Sequence, residues 1–115
     1  MTNKNLLGKR GEEAAAKWLI TQGFEIIEKN ARLGHQEIDL ITRKAGLTIF
    51  FEIKTGYYLP GDFPLKKRQQ RSLKIARLKY CEKHQISLEK TRFDLIIITP
   101  KNSGASLEHL ANISA

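Results

Sequence analysis

Acidic side chains interrupt two apolar stretches in the first half of the chain. The first stretch reads QEIDLITR and carries Glu37 and Asp39, and the second reads LTIFFEIK and carries Glu52 two residues before Lys54. Side chains two apart on a β-strand share a face, so each stretch predicts one charged face and one apolar face. The apolar faces are predicted to contain Ile38, Leu40, Phe51 and Ile53.

The segment between the two stretches predicts how these charges meet. Residues 44–46 form a short turn segment that ends in a glycine, and glycine accepts positive φ, so the segment suits a tight antiparallel hairpin. Pairing about this turn brings Asp39 towards Glu52, with Lys54 two residues further along. The hairpin therefore predicts two carboxyls and one ammonium that converge at one end of a sheet.

Two carboxyls in a half-buried place indicate a cation site. Like charges repel there and each carboxylate loses solvation, and a bridging divalent cation relieves both effects. Carboxylate oxygens suit Mg²⁺ or Mn²⁺. The alternative interpretation is a structural ion-pair cluster without metal, in which Lys54 neutralises Asp39 and Glu52.

The composition indicates a polyanionic partner. The chain has 20 lysines and arginines against 12 aspartates and glutamates, which gives a formal net charge of +8 over 115 residues. This balance favours nucleic acid over a membrane surface. The length predicts one domain, residues 1–115.

The sequence favours a cytoplasmic location. No apolar run approaches the length of a membrane span, and the N-terminal residues lack the apolar core of a signal peptide. The single cysteine, Cys81, excludes an internal disulfide and fits a reducing compartment. One cysteine is also too few for a Cys/His zinc cluster.

Apolar residues at three- and four-residue steps predict two helices. The first spans residues 5–22 and ends at Gly23, which suits the left-handed position after a last turn. Glu12 lies at the edge of the helix's apolar face, so its side chain can point towards the sheet. The alternative interpretation is that Glu12 only stabilises the start of the helix, as acids commonly do there. The second helix spans residues 64–85. Its buried stripe is predicted to contain Leu65, Leu73, Ala76 and Tyr80.

The second helix is strongly basic. Residues 66–83 contain eight lysines and arginines and a single acid. Lys67, Arg71 and Lys74 follow an i, i+4, i+7 course, and we call these three residues the basic stripe. A merely solvated helix alternates acids with bases for ion pairing, and this one does not. The basic stripe is therefore predicted to contact the phosphate backbone of nucleic acid.

The remaining elements are predicted from β-propensity and turn residues. They are an edge strand at 24–29, a loop at 30–35, a buried strand at 92–99 ended by Pro100, and at 106–113 either a last edge strand or a short helix. Asp94 interrupts the buried strand and is assigned a structural hydrogen bond or a pairing with Arg92. It is given no catalytic role.

Several of these residues together resemble a known family. The pattern comprises Gly8-x-x-Gly11-Glu12-x-x-Ala15, Gly23-Phe24, Asn30, Glu37-Ile38-Asp39-Leu40-Ile41, Phe51-Glu52-Ile53-Lys54-Thr55, Ala76 with Tyr80, and Arg92-Phe93-Asp94. It resembles the YraN family of uncharacterised bacterial proteins over nearly the whole chain. The resemblance implies an α/β, restriction-endonuclease-like fold, with a central mixed β-sheet flanked by helices and a distant relation to archaeal Holliday junction resolvases.

The resemblance also implies a site of the Asp…Glu-x-Lys kind. Its catalytic residues would be Asp39, Glu52, Lys54 and Glu12. Asp39 and Glu52 would bind the metal together with the backbone carbonyl of Ile53. Glu37 shares a strand face with Asp39 and is, on that ground, a candidate outer-shell partner. The chain has Gln36 and Gly56 where the family commonly has glycine and arginine. Both positions lie beside the site and bear on substrate fit more than on metal binding.

The implied function is hydrolysis of DNA by a metal-dependent endonuclease that uses Mg²⁺ or Mn²⁺. Its expected substrate is DNA rather than RNA, either branched or junction DNA, in repair, recombination or DNA uptake. A homodimer is expected by analogy with resolvases alone. The alternative is a non-catalytic nucleic-acid-binding module that retains the nuclease fold. The intact set of Asp39, Glu52 and Lys54 favours a Mg²⁺-dependent endodeoxyribonuclease.

Overall fold

A computed structural model describes residues 4–59 and 62–113 of the chain. The helices and strands are α1 (Lys4–Thr21), β1 (Glu25–Leu33), β2 (Gln36–Lys44), β3 (Leu47–Thr55), α2 (Lys67–His84), β4 (Thr91–Lys101) and β5 (Gly104–Leu110), with a 3-10 turn at Leu88–Lys90. Both predicted helices are confirmed, although α2 begins three residues later than predicted. Among the described residues, no helix is long and apolar enough to cross a membrane.

The strands form one mixed sheet whose spatial order follows the chain, from β1 to β5. Neighbouring strands are antiparallel except β3 and β4, which are parallel. A parallel pair needs a long crossover, and α2 lies within this one. The predicted fold class, an α/β fold with a central mixed sheet flanked by helices, is confirmed.

Each face of the sheet buries its own core. Leu19 of α1 packs on one face in a cluster with Phe51, and Leu73 of α2 packs on the other face in a cluster with Phe50. The two neighbouring phenylalanines are both fully buried, because successive side chains of β3 point to opposite faces. Strands covered on both sides carry nearly continuous apolar runs, as β3 and β4 do.

The predicted hairpin between β2 and β3 is confirmed. Its pairing runs from Lys44 opposite Leu47 to Leu40 opposite Phe51. The turn residues Ala45 and Gly46 have φ values of 51° and 79°. Two residues with positive φ match the right-handed twist of the strands and give a tight hairpin.

The predicted faces of β2 are wrong at one point. Ile38 belongs to the core under α2 and Leu40 to the core under α1, although they are two residues apart. The alternation changes at Asp39, beyond which β2 no longer pairs with β3. The apolar face of β2 is therefore divided between both cores, whereas Phe51 and Ile53 share the core under α1 as predicted.

Two predicted boundaries are also wrong. Residues 30–33 continue β1 instead of forming a loop, because residues 31–33 pair with residues 36–38 of β2, and the strand accommodates a φ of 51° at Asn30. Pro100 lies inside β4, paired with Ala105 of β5. It lies beyond the last residue of β4 that pairs with β3, so its missing N–H breaks no bond there. Of the two predictions for the last segment, the edge strand is the one observed.

Candidate active site

Asp39 ends the ladder between β2 and β3 with its side chain. Its Oδ2 accepts the backbone N–H of Ile53 at 2.8 Å, in the place where a backbone carbonyl of β2 would continue the pairing. The two strands separate beyond Leu40, and the carboxyl of Asp39 lies between them. The next position across the hairpin is Glu52, whose carboxyl is within hydrogen-bonding reach of Asp39. The structure thus brings together the two acids that the hairpin predicted.

The electrostatics of this pair are unfavourable without a cation. Burial raises the pKa of Asp39 to about 8, and the hydrogen bond and charge of Glu52 act in the same direction. The Ile53 N–H and the Lys54 ammonium lower the pKa of Asp39 but do not compensate. Without a bound cation the Asp39–Glu52 pair therefore keeps a proton to a higher pH than a solvent-exposed aspartate does.

Glu52 is held by the second helix. It is 7% exposed, and its Oε2 accepts a hydrogen bond from Nε2 of Gln69 at 3.0 Å. The neighbouring Gln70 donates to the carbonyl of Leu65 at 2.9 Å and fixes the segment before α2. Sequence reasoning missed Gln69, although two uncharged amides inside a basic run were a signal that this part of the helix faces something other than solvent.

A second acidic group lies on the side of α1. The Asn30 amide, oriented with its nitrogen towards the acids, donates to Glu12 at 3.2 Å and to Glu37 at 3.1 Å. Burial, and then the charges of Asp39 and Glu37, raise the pKa of Glu12. Glu37 also pairs with Arg32 at 3.8 Å in an exposed position. Glu12 and Glu37 thus lie near Asp39 and are joined through Asn30, which sequence reasoning noted only as part of the family pattern.

Glu12 reaches the site because α1 approaches β3 at a glycine. A Cβ atom at Gly11 would collide with Oγ1 of Thr55, so any other residue requires the Thr55 side chain or the helix to move. The Thr55 hydroxyl is buried there, without a hydrogen-bond partner among the described residues. Glu12, which follows Gly11, is therefore held close to the end of β3, where Thr55 follows Lys54.

Lys54 is half-buried at the same end of β3. Its charge lowers the pKa of Asp39, so the ammonium is near the acids. Among the residues that the structure describes, however, it forms no ion pair within 4.0 Å with any carboxylate. The ammonium is thus close to the acids but forms no salt bridge with them. A purely structural ion-pair cluster would contain such a salt bridge.

The donor set fits a hard divalent cation. Asp39 and Glu52 each use one oxygen for a protein N–H donor. Within residues 4–59 and 62–113 the further hydrogen-bonding contact of each carboxyl is with the opposite carboxyl. No group of three or more histidine, cysteine, aspartate or glutamate side chains forms a complete cage in these residues. A two-carboxylate set of this kind suits Mg²⁺, which keeps several of its waters.

The basic stripe is brought together, but away from these acids. Lys67, Arg71 and Lys74 line an open groove of about 760 Å³ between α2 and Asn112 after β5. At 100° per residue they lie roughly 140–160° around the helix from Gln69, which contacts Glu52. The positively charged groove and the acidic site therefore lie on different sides of α2, a relation that the helical spacing alone did not predict.

Comparisons with known proteins point to one family. The model of the uncharacterised protein family UPF0102 matches residues 11–98 of this chain. A UPF0102 protein of Dictyoglomus turgidum is 36% identical over 118 residues, which cover 97% of this chain and 98% of that protein. UPF0102 protein BF0634 of Bacteroides fragilis is 36% identical over 114 residues, which cover 96% of this chain and 93% of that protein.

One similar solved structure is that of SfsA from Pyrococcus furiosus in complex with Ca²⁺. The TM-score is 0.46 and the sequence identity is 19%. The match covers 97% of this chain but 64% of the SfsA chain. This chain therefore spans about two thirds of the length of SfsA.

Proposed function

The chain belongs to the uncharacterised protein family UPF0102, the YraN family that its motifs indicated, and we propose that it is a metal-dependent DNA endonuclease. The observation that carries this proposal is the pairing of Asp39 with Glu52. Two carboxyls forced together at a separated strand end, with a lysine nearby that is bound to neither, are unfavourable for stability and suited to phosphodiester hydrolysis.

Asp39 and Glu52 are the residues that would hold Mg²⁺, or Mn²⁺ in its place. When bound, the cation supplies positive charge that stabilises the phosphoryl oxygens and the leaving oxygen. Gln69 contributes by fixing the orientation of Glu52, and the N–H of Ile53 does the same for Asp39. Both acids are thus oriented before substrate binds, which is the role expected of the partners of metal-binding carboxylates.

The remaining groups of the site act on the attacking water. Lys54 lies near the acid pair with its ammonium unpaired by any carboxylate in the described residues, so it can stabilise a hydroxide or the charge that develops on the phosphate. Glu12, whose pKa is raised by burial and by neighbouring acids, is suited to position a water and accept its proton.

The positive charge of the chain supports nucleic acid as the substrate. The net charge is +8, and the basic stripe lines one groove. Because this groove and the acids lie on different sides of α2, a substrate that contacts both must pass around the helix. A branched DNA offers two duplex arms for the two surfaces, whereas a straight duplex offers a single arm. This arrangement supports junction or flap DNA as the preferred substrate.

Cleavage of a labelled DNA panel tests the proposal. Single-stranded, duplex, flap and four-way-junction DNA are incubated at low salt with Mg²⁺, with Mn²⁺ or with chelator. We expect cleavage that requires the cation, is strongest on branched DNA, and is lost in Asp39→Asn and Glu52→Gln. Glu12→Gln should reduce the rate, whereas Glu13→Gln, the exposed acid next to it, should leave the rate unchanged.

A non-catalytic nucleic-acid-binding module is the second candidate. The separation of the basic groove from the acids favours it, because binding through that groove needs no acid. Under this candidate Asp39→Asn binds DNA as the wild type does and neither protein cuts any member of the panel. That outcome would overturn the endonuclease proposal.

A further inference from the structure

A second cavity lies on the α1 face of the sheet, at the end of β2 opposite the acidic site. It has a volume of about 300 Å³ and lies between the last turns of α1, the β2–β3 turn, and residues of β4 and β5. Lys44, which lines it, is five residues from Asp39, or about 17 Å along an extended strand. The candidate active site therefore does not extend into this cavity.

The cavity is lined by positive charge. Lys44 and Arg92 contribute two cations and His109 an imidazole, and none of its described lining residues is an acid. The nearby acid, Asp94, is 0% exposed and already neutralised. It accepts both a 2.9 Å and a 3.0 Å bond from Arg92, and a third contact of 2.8 Å joins it to Nε2 of His109. Because Asp94 offsets the charge of Arg92, the net positive charge at the cavity comes from Lys44, and Arg92 contributes hydrogen-bond donors for an anion.

Both cations keep donors for a ligand. Arg92 uses two of its five N–H groups on Asp94 among the described residues, so three remain. Lys44 donates one of its three N–H groups to the carbonyl of Gln22 at 2.7 Å and lies 4.6 Å from the centre of the Phe24 ring. Its position is thus fixed by α1 and by the ring, and its charge is available to the cavity.

Aromatic rings form the other wall. Trp18 and Phe24 both line the cavity. The Trp18 ring meets the His109 ring edge to face at 5.9 Å, which fixes the indole in place. A rigid indole beside two cations presents a stacking surface next to an anion site. This combination selects a planar ring that carries a negative group.

We propose that this cavity binds one nucleotide, with the phosphate at Arg92 and Lys44 and the base against Trp18. The volume lies at the lower end of the range for ligand sites, about 300–1,000 Å³, and so fits one nucleotide rather than a longer strand. The nucleotide is either free or the 5′-phosphorylated end of a strand. The proposal goes beyond DNA cleavage and does not depend on it.

Tryptophan fluorescence measures this binding directly, because Trp18 is the single tryptophan of the chain. We expect adenosine 5′-monophosphate to quench it saturably, and isothermal titration calorimetry to give the same Kd. Inorganic phosphate alone and adenosine alone should each bind at least tenfold more weakly. Quenching by 5′-phosphorylated but not 5′-hydroxyl oligonucleotides would identify a strand end as the source, and quenching by the mononucleotide alone would identify the free nucleotide.

Two substitutions separate a site from general electrostatics. Lys44→Gln removes the charge but keeps a donor for the Gln22 carbonyl, and we expect the Kd to rise about tenfold. Arg43→Gln removes an equal charge from the neighbouring exposed position, whose side chain points to the other face, and should change the Kd less than twofold. Circular dichroism checks that both variants fold.

Three outcomes would overturn the proposal. They are the absence of quenching, equal binding of phosphate alone, and equal losses in the two variants. Asp39→Asn should bind the nucleotide as the wild type does, so that failure of the cleavage proposal and failure of this one are distinguishable.

Discussion

Asp39→Asn is expected to stabilise the protein while abolishing its proposed activity. The native state keeps one proton on the Asp39–Glu52 pair at neutral pH, because burial and Glu52 raise the pKa of Asp39 to about 8. In the unfolded chain the pKa returns to about 3.9. The carboxyl therefore opposes folding whenever the unfolded chain can ionise it. Asparagine has nearly the same shape, can still accept the N–H of Ile53, and has no charge to lose.

The size of the effect follows from proton linkage. Between about pH 4 and pH 8 the native state binds one proton more than the unfolded state, so the free energy of unfolding falls by about 1.4 kcal/mol per pH unit. The loss of unfolding free energy is about 4 kcal/mol at pH 7. It increases further up to about pH 8 and is constant above that, because both states are then ionised. The stability of Asp39→Asn relative to wild type should rise from near zero at pH 4 towards about 4 kcal/mol at pH 7.

Urea unfolding at a series of pH values, in chelator, measures this difference. Asp62→Asn is the matched control, because it removes an exposed aspartate and should leave the pH profile of the wild type unchanged. Parallel pH profiles of Asp39→Asn and wild type, or a less stable Asp39→Asn at pH 7, would refute the electrostatic account of the site.

Three further outcomes are expected. Mg²⁺ at 100 times its Kd should stabilise wild type by about 2.7 kcal/mol in thermal melts and leave Asp39→Asn unchanged at equal ionic strength; equal stabilisation of both would place the cation elsewhere. Gly11→Ala should lower the free energy of unfolding by about 1–3 kcal/mol, because the added Cβ clashes with Thr55. A Cβ at Gly8 meets no atom within 4 Å, so Gly8→Ala should raise the free energy of unfolding by up to about 1 kcal/mol. Equal effects of the two substitutions would contradict the close approach of α1 to β3. Neutralising all three cations of the basic stripe should reduce the salt dependence of DNA binding by about two to three units of slope, measured by anisotropy, and an unchanged slope would exclude that groove.

Most elements were predictable because their signals are local. The periodicity of the two helices and the glycine of the β2–β3 turn act within a few residues, and the structure contains each element at nearly the predicted place. The meeting of Asp39 with Glu52 was also predictable, since the hairpin register is set by its turn. The family followed from the same local motifs.

The partners of the site were not predictable in this way. Gln69 reaches Glu52 from 17 residues away along the chain, and Asn30 joins two acids that belong to different elements. Each of these side chains acquires its role from the packing of a helix or a neighbouring strand. The two adjacent amides in the basic helix were a local signal for Gln69, but no short-range pattern identifies the acid that either amide contacts.

The sequence by itself determined the elements, the hairpin and the set of acids, because these depend on spacing along the chain. The tertiary structure alone decided that the side chains of β2 stop alternating between the two faces at Asp39. This change depends on the Asp39 carboxyl accepting a backbone N–H of β3. It also placed the basic stripe on the far side of α2 from Glu52. The cavity around Trp18 and His109 arises likewise from residues distant in sequence, because burial is set by how the elements pack and not by local propensity.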